Sequence, residues 1–185
     1  MMEPLRRLRI VEKRRETPDA ATFVLEPADG NAPLIYEPGQ YLSLAVSPRG
    51  KDLRRAYSFS SSPHTDKLPA ITVRRVVNGE VSNWLLDHFR PGMSVSARSP
   101  YGGFTLQADD LPAAVALFSA GCGITPMMSM AHWLLETQPG VTVHFFHSAR
   151  DEEQVIFSRE LHTLAAACPR LKLHLFLSRP QGLND

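Results

Sequence analysis

The stretch AAVALFSAGCGITPMM, residues 113–128, decides the fold of the second half of this chain. Residues 113–121 form a continuous apolar run, as expected for a strand that is buried on both faces of a sheet. Two glycines, Gly121 and Gly123, then allow a tight turn, and Pro126 suits the first turn of a helix. The stretch therefore predicts a buried strand that leads through a glycine turn directly into a helix.

The residues that follow continue the alternation of helix and strand. We predict a helix from about residue 126 to 137, a strand at 141–149, a second helix at 152–168 and a third strand at 171–178. This order is typical of a parallel sheet with right-handed crossovers. Because nucleotide-binding sheets usually contain more strands, either this sheet is unusually small or the chain is a truncated piece of a longer protein.

The first half of the chain contains short predicted strands that are separated by Gly, Pro and Asp. They lie at 8–17, 22–28, 39–46, 54–61, 70–77 and 94–99. One helix is expected at 82–89, with Ser82 as its N-cap. We therefore predict a six-stranded antiparallel β barrel in residues 1–109, followed in residues 110–185 by a truncated parallel βαβαβ domain.

The composition excludes several classes of protein. The net charge is +1, so neither nucleic acid nor an acidic membrane surface is expected as a partner. No apolar stretch is long enough to cross a membrane, and two cysteines cannot form a disulfide framework. Four histidines, at positions 144, 147, 162 and 174, lie on different predicted elements, so no metal site is expected. We expect a soluble, cytoplasmic protein.

The motif RAYSFSS, residues 55–61, carries groups that suit a ligand. Arg55 can pair with a phosphate through two parallel hydrogen bonds. Tyr57 shares the face of Arg55 because strand side chains repeat every two residues, and Ser58 lies on the other face. A flat ring could lie on Tyr57 and accept a hydrogen bond from Ser58. The alternative is an edge strand whose polar residues are only solvated.

Two glycine turns that lead into helices form the other candidate sites. The segment NGEVSNWLL, residues 78–86, would offer free N–H groups to a pyrophosphate, or would be an ordinary capped helix. The segment SAGCGITPMM, residues 119–128, would offer a helix N-terminus to a phosphate or to a polar ring edge. Its alternative is a tight turn that binds nothing.

Taken in order, these motifs resemble the ferredoxin–NAD(P)+ reductase superfamily. They are R-x-Y-S at 55–58, G-x-V-S at 79–82 and G-C-G-I-T-P at 121–126, together with EPGQY at 37–41 and SPYGGF at 99–104. The resemblance extends over most of the chain. It is closest to the NADH-type flavin reductases that serve oxygenases and the hybrid cluster protein.

The resemblance implies a role for each motif. Arg55 would neutralise the FAD pyrophosphate, Tyr57 would contact the isoalloxazine ring, and Ser58 would be the catalytic residue, hydrogen-bonded near flavin N5. Ser178 and Arg179 would contact the adenosine end of NADH or NADPH, a choice that stays open. The implied cofactor-binding residues are Arg55, Ala56, Tyr57, Ser58, Thr72, Val73, Arg74, Gly79, Glu80, Val81, Ser82, Gly121, Cys122, Gly123, Ile124, Thr125, Pro126, Ser178 and Arg179.

The implied activity is that of an NAD(P)H-dependent oxidoreductase. Hydride would pass from NADH or NADPH to FAD, with FMN the less favoured flavin. Electrons would then pass to an iron–sulfur or haem partner, on a separate protein or on a missing C-terminal domain. Members of the superfamily carry a Cys-Gly-Pro motif beyond the point where this sequence stops. The alternative is therefore a flavin-binding module that lacks competent NAD(P)H chemistry.

Overall fold

The structure is a computed structural model that describes residues 5–28 and 33–179. The outer ends of the two predicted domains, residues 1–4 and 180–185, lie outside the described residues. The described chain forms a six-stranded antiparallel sheet and then a three-stranded parallel sheet. The predicted fold class is confirmed.

The antiparallel sheet closes into a barrel. Its strand order is β4-β3-β6-β1-β2-β5, and its two end strands meet through a bridge between Phe59 and Ile71. The helix α1 is inserted between the last two strands in the sequence. The elements are β1 (Arg6–Thr17), β2 (Ala20–Pro27), β3 (Tyr41–Val46), β4 (Leu53–Ser58), β5 (Ala70–Arg74), α1 (Glu80–His88) and β6 (Ser94–Ala97).

Strand alternation fills the interior of the barrel. In β3, for example, Leu42, Leu44 and Val46 are buried while the residues between them are only half-buried. These side chains join one apolar cluster with Phe23 and Phe59, both of which are fully buried. Because the interior is filled by side chains, a ligand can bind only at the outer surface of the barrel or at its ends.

The second unit alternates strands and helices as predicted. Its elements are β7 (Ala114–Ala120), α2 (Ile124–Thr137), β8 (Thr142–Ala149), α3 (Ser158–Ala167) and β9 (Leu171–Leu177), with strand order β7-β8-β9. The helix α3 is shorter than the predicted 152–168. Phe157 has a left-handed backbone with φ of 61°, which separates a short 3₁₀ turn at Glu152–Gln154 from the start of α3.

The prediction that β7 is buried on both faces is wrong for the described chain. Val115 and Leu117 are buried in the core that α2 and α3 share, whereas Ala114, Ala116 and Phe118 are exposed on the opposite face. The reason is that no element within residues 5–28 and 33–179 covers this face of the sheet. Its surface carries stacked rings, including the pair Phe118 and Phe146.

Direct contacts join the two units. The Ser129 hydroxyl on α2 donates a hydrogen bond of 2.5 Å to the Ser61 carbonyl of the barrel unit. Ala20, at the start of β2, is buried in the core of the second unit. In the described part of the chain, no helix is both long and apolar enough to cross a membrane.

A buried histidine makes the second unit sensitive to acid. His147 is 1 % exposed, and its Nδ1 lies 2.8 Å from the Ser119 hydroxyl. Burial lowers the pKa of His147 to about 4, so the folded chain keeps the ring neutral at neutral pH. An unfolded histidine has a pKa near 6.5. As the pH falls from about 6.5 to 4, the unfolded chain therefore binds a proton that the folded chain does not.

We expect this difference to lower the free energy of unfolding by about 3 kcal/mol between pH 7 and pH 4. Urea titrations at several pH values measure this loss in the native chain and in His147→Gln, which lacks the titrating ring. The variant should lose less stability on acidification, whereas His162→Gln, at an exposed position on α3, should follow the native chain. Equal acid losses in the native chain and His147→Gln would contradict the assignment.

Candidate functional site

A groove of about 510 Å³ brings all three predicted motifs together at the junction of the two units. One side is formed by β4, the end of β5 and the start of α1, and the other side by the turn after β7 and the first turn of α2. The lining residues are Arg55, Ala56, Tyr57, Ser58, Thr72, Arg74, Val76, Gly79, Glu80, Val81, Ser82, Cys122, Gly123, Thr125 and Pro126.

The strand β4 gives the groove an aromatic ring and a cation. Tyr57 is half-buried, and this burial raises the pKa of its hydroxyl to about 12, although the charge of Arg55 opposes the shift. The phenol is therefore neutral at physiological pH. Arg55 is exposed, and within the described residues it makes no ion pair; one of its Nη atoms donates to the Arg54 carbonyl. Its guanidinium is thus open to an anionic ligand.

The strand β5 contributes Thr72 and Arg74 to the groove. The Thr72 hydroxyl is buried and lies 2.8 Å from the Thr22 hydroxyl and 2.9 Å from that of Ser60. Its polar atom is therefore already hydrogen-bonded inside the protein. Val73 is fully buried in the barrel core, which leaves only its backbone for contact with a ligand.

The start of α1 differs from the prediction in one respect. The helix begins at Glu80 with Gly79 as its N-cap, two residues before the predicted start at Ser82. The Ser82 hydroxyl instead accepts a hydrogen bond of 3.1 Å from the Val76 N–H, so Ser82 fixes the preceding turn. The N–H groups of the first turn, at Glu80, Val81 and Ser82, have no partner within the helix and can bind an anion.

Gly79 cannot carry a side chain without disturbing this turn. A Cβ there would lie 2.7 Å from the Ser82 hydroxyl and 2.8 Å from the Val76 Cβ. The glycine therefore lets the backbone turn closely enough to direct the first N–H groups of α1 into the groove.

The segment from β7 to α2 forms the opposite wall. Gly121, Cys122 and Gly123 form a 3₁₀ turn, and Gly121 has a positive φ of 51°. The helix α2 begins at Ile124 rather than near Pro126, and the Thr125 hydroxyl donates 3.2 Å to the Cys122 carbonyl. Ile124 is fully buried in the core and Gly121 lies behind the lining, so these two predicted residues shape the wall without facing the groove.

The other predicted residues have varied positions. Ser178 and Arg179 are exposed just after β9, at the same edge of the parallel sheet as the 121–126 segment, and they do not line the groove. Sequence reasoning missed Val76, which does line it. The predicted strand ran to residue 77, but β5 ends at Arg74, and Val76 belongs to the turn that leads into α1.

The arrangement fits a flavin dinucleotide. One groove holds an aromatic ring, a guanidinium that makes no ion pair among the described residues, and the free N–H groups of a helix start, which suit a flat ring and a diphosphate. The opposite wall includes Cys122, Gly123, Thr125 and Pro126. When bound, a flavin would supply the capacity to accept hydride and release electrons, while the protein supplies orientation and electrostatics.

Comparison with known proteins finds two family models that match the chain. Residues 7–106 match the family "Oxidoreductase FAD-binding domain", and residues 117–184 match "Oxidoreductase NAD-binding domain". The crystal structure of the FAD/NAD-binding domain of nitric oxide dioxygenase from Vibrio cholerae superposes with a TM-score of 0.86 at 30% identity. The match covers 100% of this chain and 78% of the Vibrio cholerae chain.

Two curated relatives are reductase components of oxygenases. The glycine betaine monooxygenase reductase subunit of Pseudomonas aeruginosa is 39% identical over 96% of this chain and 48% of its own length. The ferredoxin reductase component of 3-ketosteroid-9-alpha-monooxygenase from Mycobacterium tuberculosis is 40% identical over 95% of this chain and 51% of its own length. The chain thus spans about half the length of these relatives. It belongs to the oxidoreductase FAD-binding domain family and, with its NAD-binding domain, to the ferredoxin–NAD(P)+ reductase superfamily.

Proposed function

We propose that this chain is the FAD- and nicotinamide-binding part of an electron-transfer reductase. Its groove would hold FAD, which takes hydride from NADH or NADPH and passes electrons to an acceptor. The observation that carries this proposal is the single groove that the barrel motifs at 55–58 and 79–82 share with the 122–126 segment of the second unit. A flavin on one wall and a nicotinamide on the other would then be in direct contact.

The residues have distinct roles in this proposal. Arg55 and the first N–H groups of α1 bind the diphosphate from two sides, and Tyr57 contacts the ring. Ser58 lies beside Tyr57 at the end of β4 and is the hydrogen-bond donor to the flavin. The turn at 121–123 and Thr125 receive the nicotinamide, and Ser178 and Arg179 receive the adenosine end of the same dinucleotide.

We further propose that the electron acceptor is an iron–sulfur or haem centre. The supporting observation is that two relatives are named as reductase components of monooxygenases, one of them a ferredoxin reductase component. We also propose a division of the chain into an FAD-binding domain, residues 1–109, and an NAD(P)-binding domain, residues 110–185. A cytoplasmic location is consistent with the two free cysteines, Cys122 and Cys168.

Two spectra test the proposed function. The chain purified with FAD should show the absorbance of bound flavin, and anaerobic NADH or NADPH should bleach it; the faster of the two reductants identifies the preferred dinucleotide. A bound flavin that stays oxidised with both reductants would instead support the flavin-binding module. A chain that binds no flavin would overturn the proposal.

Replacing Ser58 with alanine should separate binding from reduction. We expect FAD affinity to change less than about threefold, because the diphosphate contacts remain. The rate of anaerobic reduction should fall about tenfold, which corresponds to the loss of one hydrogen bond that strengthens during hydride transfer. Stopped-flow absorbance measures this rate. Ser96→Ala, on β6 and away from the groove, is the matched control, and a native rate in Ser58→Ala would refute the role of its hydroxyl.

A further inference from the structure

We propose that Arg74 is a positioning residue that fixes the turn at Gly121–Gly123 against the barrel, rather than a ligand of the flavin phosphates. Arg74 would do so through its contacts with Asp19 in the barrel unit and Gln154 in the second unit, which we together call the latch. An effect of these contacts on hydride transfer depends on the proposed function, whereas the contacts themselves do not.

The contacts of the Arg74 guanidinium span both units. Arg74 is the last residue of β5, and its Nε donates a hydrogen bond of 2.9 Å to Oδ2 of Asp19, in the turn between β1 and β2. Its Nη2 donates, also over 2.9 Å, to Oε1 of Gln154, between β8 and α3. A Cβ on Gly121 would lie 3.0 Å from its Nη1. Each of the three nitrogens therefore faces a different segment of the chain.

Both partners of Arg74 are held by the surrounding structure. Asp19 Oδ1 accepts a hydrogen bond of 2.8 Å from the Thr17 hydroxyl, and the Asp19 carbonyl accepts from the Arg75 N–H. The Gln154 N–H donates 3.1 Å to Asp151 Oδ1. Burial alone would raise the pKa of Asp19, but its hydrogen bonds, first that from Arg74, lower it. The carboxylate is thus charged when it pairs with the guanidinium.

The ion pair between Arg74 and Asp19 is less exposed to solvent than the neighbouring ion pair. The two side chains are 23% and 29% exposed, whereas Arg75 and Asp87, which form the neighbouring ion pair, are 40% and 51% exposed. Next to this pair, Ala20 is buried in the core of the second unit. The latch therefore lies at a packed contact between the units, where water screens the pair less than at the surface.

This geometry separates the roles of the two arginines in the groove. The Arg74 guanidinium is already hydrogen-bonded to Asp19 and Gln154 through Nε and Nη2, whereas Arg55 makes no ion pair within residues 5–28 and 33–179. Gly121 leads directly into Cys122 and Gly123, which line the groove. No side chain separates Gly121 from the guanidinium, so we expect loss of the Arg74 side chain to loosen this wall of the groove.

Hydrogen–deuterium exchange on the ligand-free chain tests the latch directly. In Arg74→Met, we expect amides in peptides that cover 119–126 and 150–156 to exchange about tenfold faster. Adding Gln154→Ala to Arg74→Met should give no further increase, since the two side chains act through one contact. Arg75→Met, which removes the adjacent exposed arginine, should leave these peptides unchanged. The proposal would be overturned if the amides of Arg74→Met exchanged at the rate of the native chain. It would also be overturned if Arg74→Met and Gln154→Ala increased the exchange rate independently.

The FAD-loaded chain provides a second readout. Arg74→Met should keep FAD affinity within about threefold, lower the reduction rate about tenfold and weaken the charge-transfer absorbance between flavin and nicotinamide. Arg74→Lys should recover only part of the rate, because one ammonium cannot reproduce the guanidinium fork. A tenfold loss of FAD affinity with native exchange would make Arg74 a phosphate ligand and refute the latch. Failure of the native chain to bind FAD would refute the proposed function while the exchange result still decides the latch.

Discussion

Replacing Gly39 with alanine is expected to lower the free energy of unfolding by at least about 3 kcal/mol. Gly39 has a φ of 101°, a conformation that residues with a side chain rarely adopt. An added Cβ would overlap the Phe104 carbonyl oxygen and would lie 2.5 Å from the Met130 Cε. The methionine could move, but the carbonyl belongs to the backbone of the segment that joins the two units.

Gly92→Ala is the matched control for this prediction. Gly92 also has a positive φ, of 91°, but nothing lies within 4 Å of the position of its Cβ. The free energy of unfolding of Gly92→Ala should therefore fall by only about 1 kcal/mol, the cost of backbone strain alone. Urea unfolding measures the stability of both variants. The difference between them gives the contribution of the overlap with Phe104, because both variants carry the backbone strain. Equal losses in the two variants would mean that the close approach of Gly39 to Phe104 does not contribute.

Arg55→Ala is expected to weaken FAD binding about 50- to 100-fold, or about 2.5 kcal/mol. The guanidinium makes no ion pair among the described residues, so its pairing with a diphosphate is not offset by the loss of an ion pair there. Quenching of flavin fluorescence on titration measures the affinity. Stability should change little, because the side chain is exposed.

Arg54→Ala provides the comparison, since Arg54 is an exposed neighbour on β4 that does not line the groove. FAD affinity should stay near the native value in this variant. The native affinity should also weaken with added salt, and this dependence should be smaller in Arg55→Ala. If both arginine variants retain native affinity, the diphosphate does not bind where we propose.

Much of the site could be predicted from the sequence because each of its motifs is local. The motif at 55–58 lies on one strand, and the motifs at 79–82 and 121–126 are glycine turns before helices, so strand period and helix-start rules identify them. The family resemblance then gave their common ligand, and the groove brings the three together. The barrel could likewise be predicted from its short strands and breakers.

Other features depend on contacts that the sequence does not reveal. The link between Arg74 and Gln154 joins residues 80 positions apart, and neither has a distinctive local pattern. The start of α1 at Glu80 depends on the Ser82 hydroxyl, which bonds to the Val76 N–H instead of capping the helix. An apolar run such as 113–121 indicates a strand, but it cannot tell whether both faces of that strand are covered.

A crystal structure of the chain with FAD would test the central claim most directly. We predict that the isoalloxazine ring lies against Tyr57 and that the diphosphate lies between the Arg55 guanidinium and the N–H groups of Glu80, Val81 and Ser82. The ring should then face the turn at Cys122 and Gly123 across the groove. Flavin bound elsewhere, or a diphosphate away from both Arg55 and the start of α1, would contradict this account.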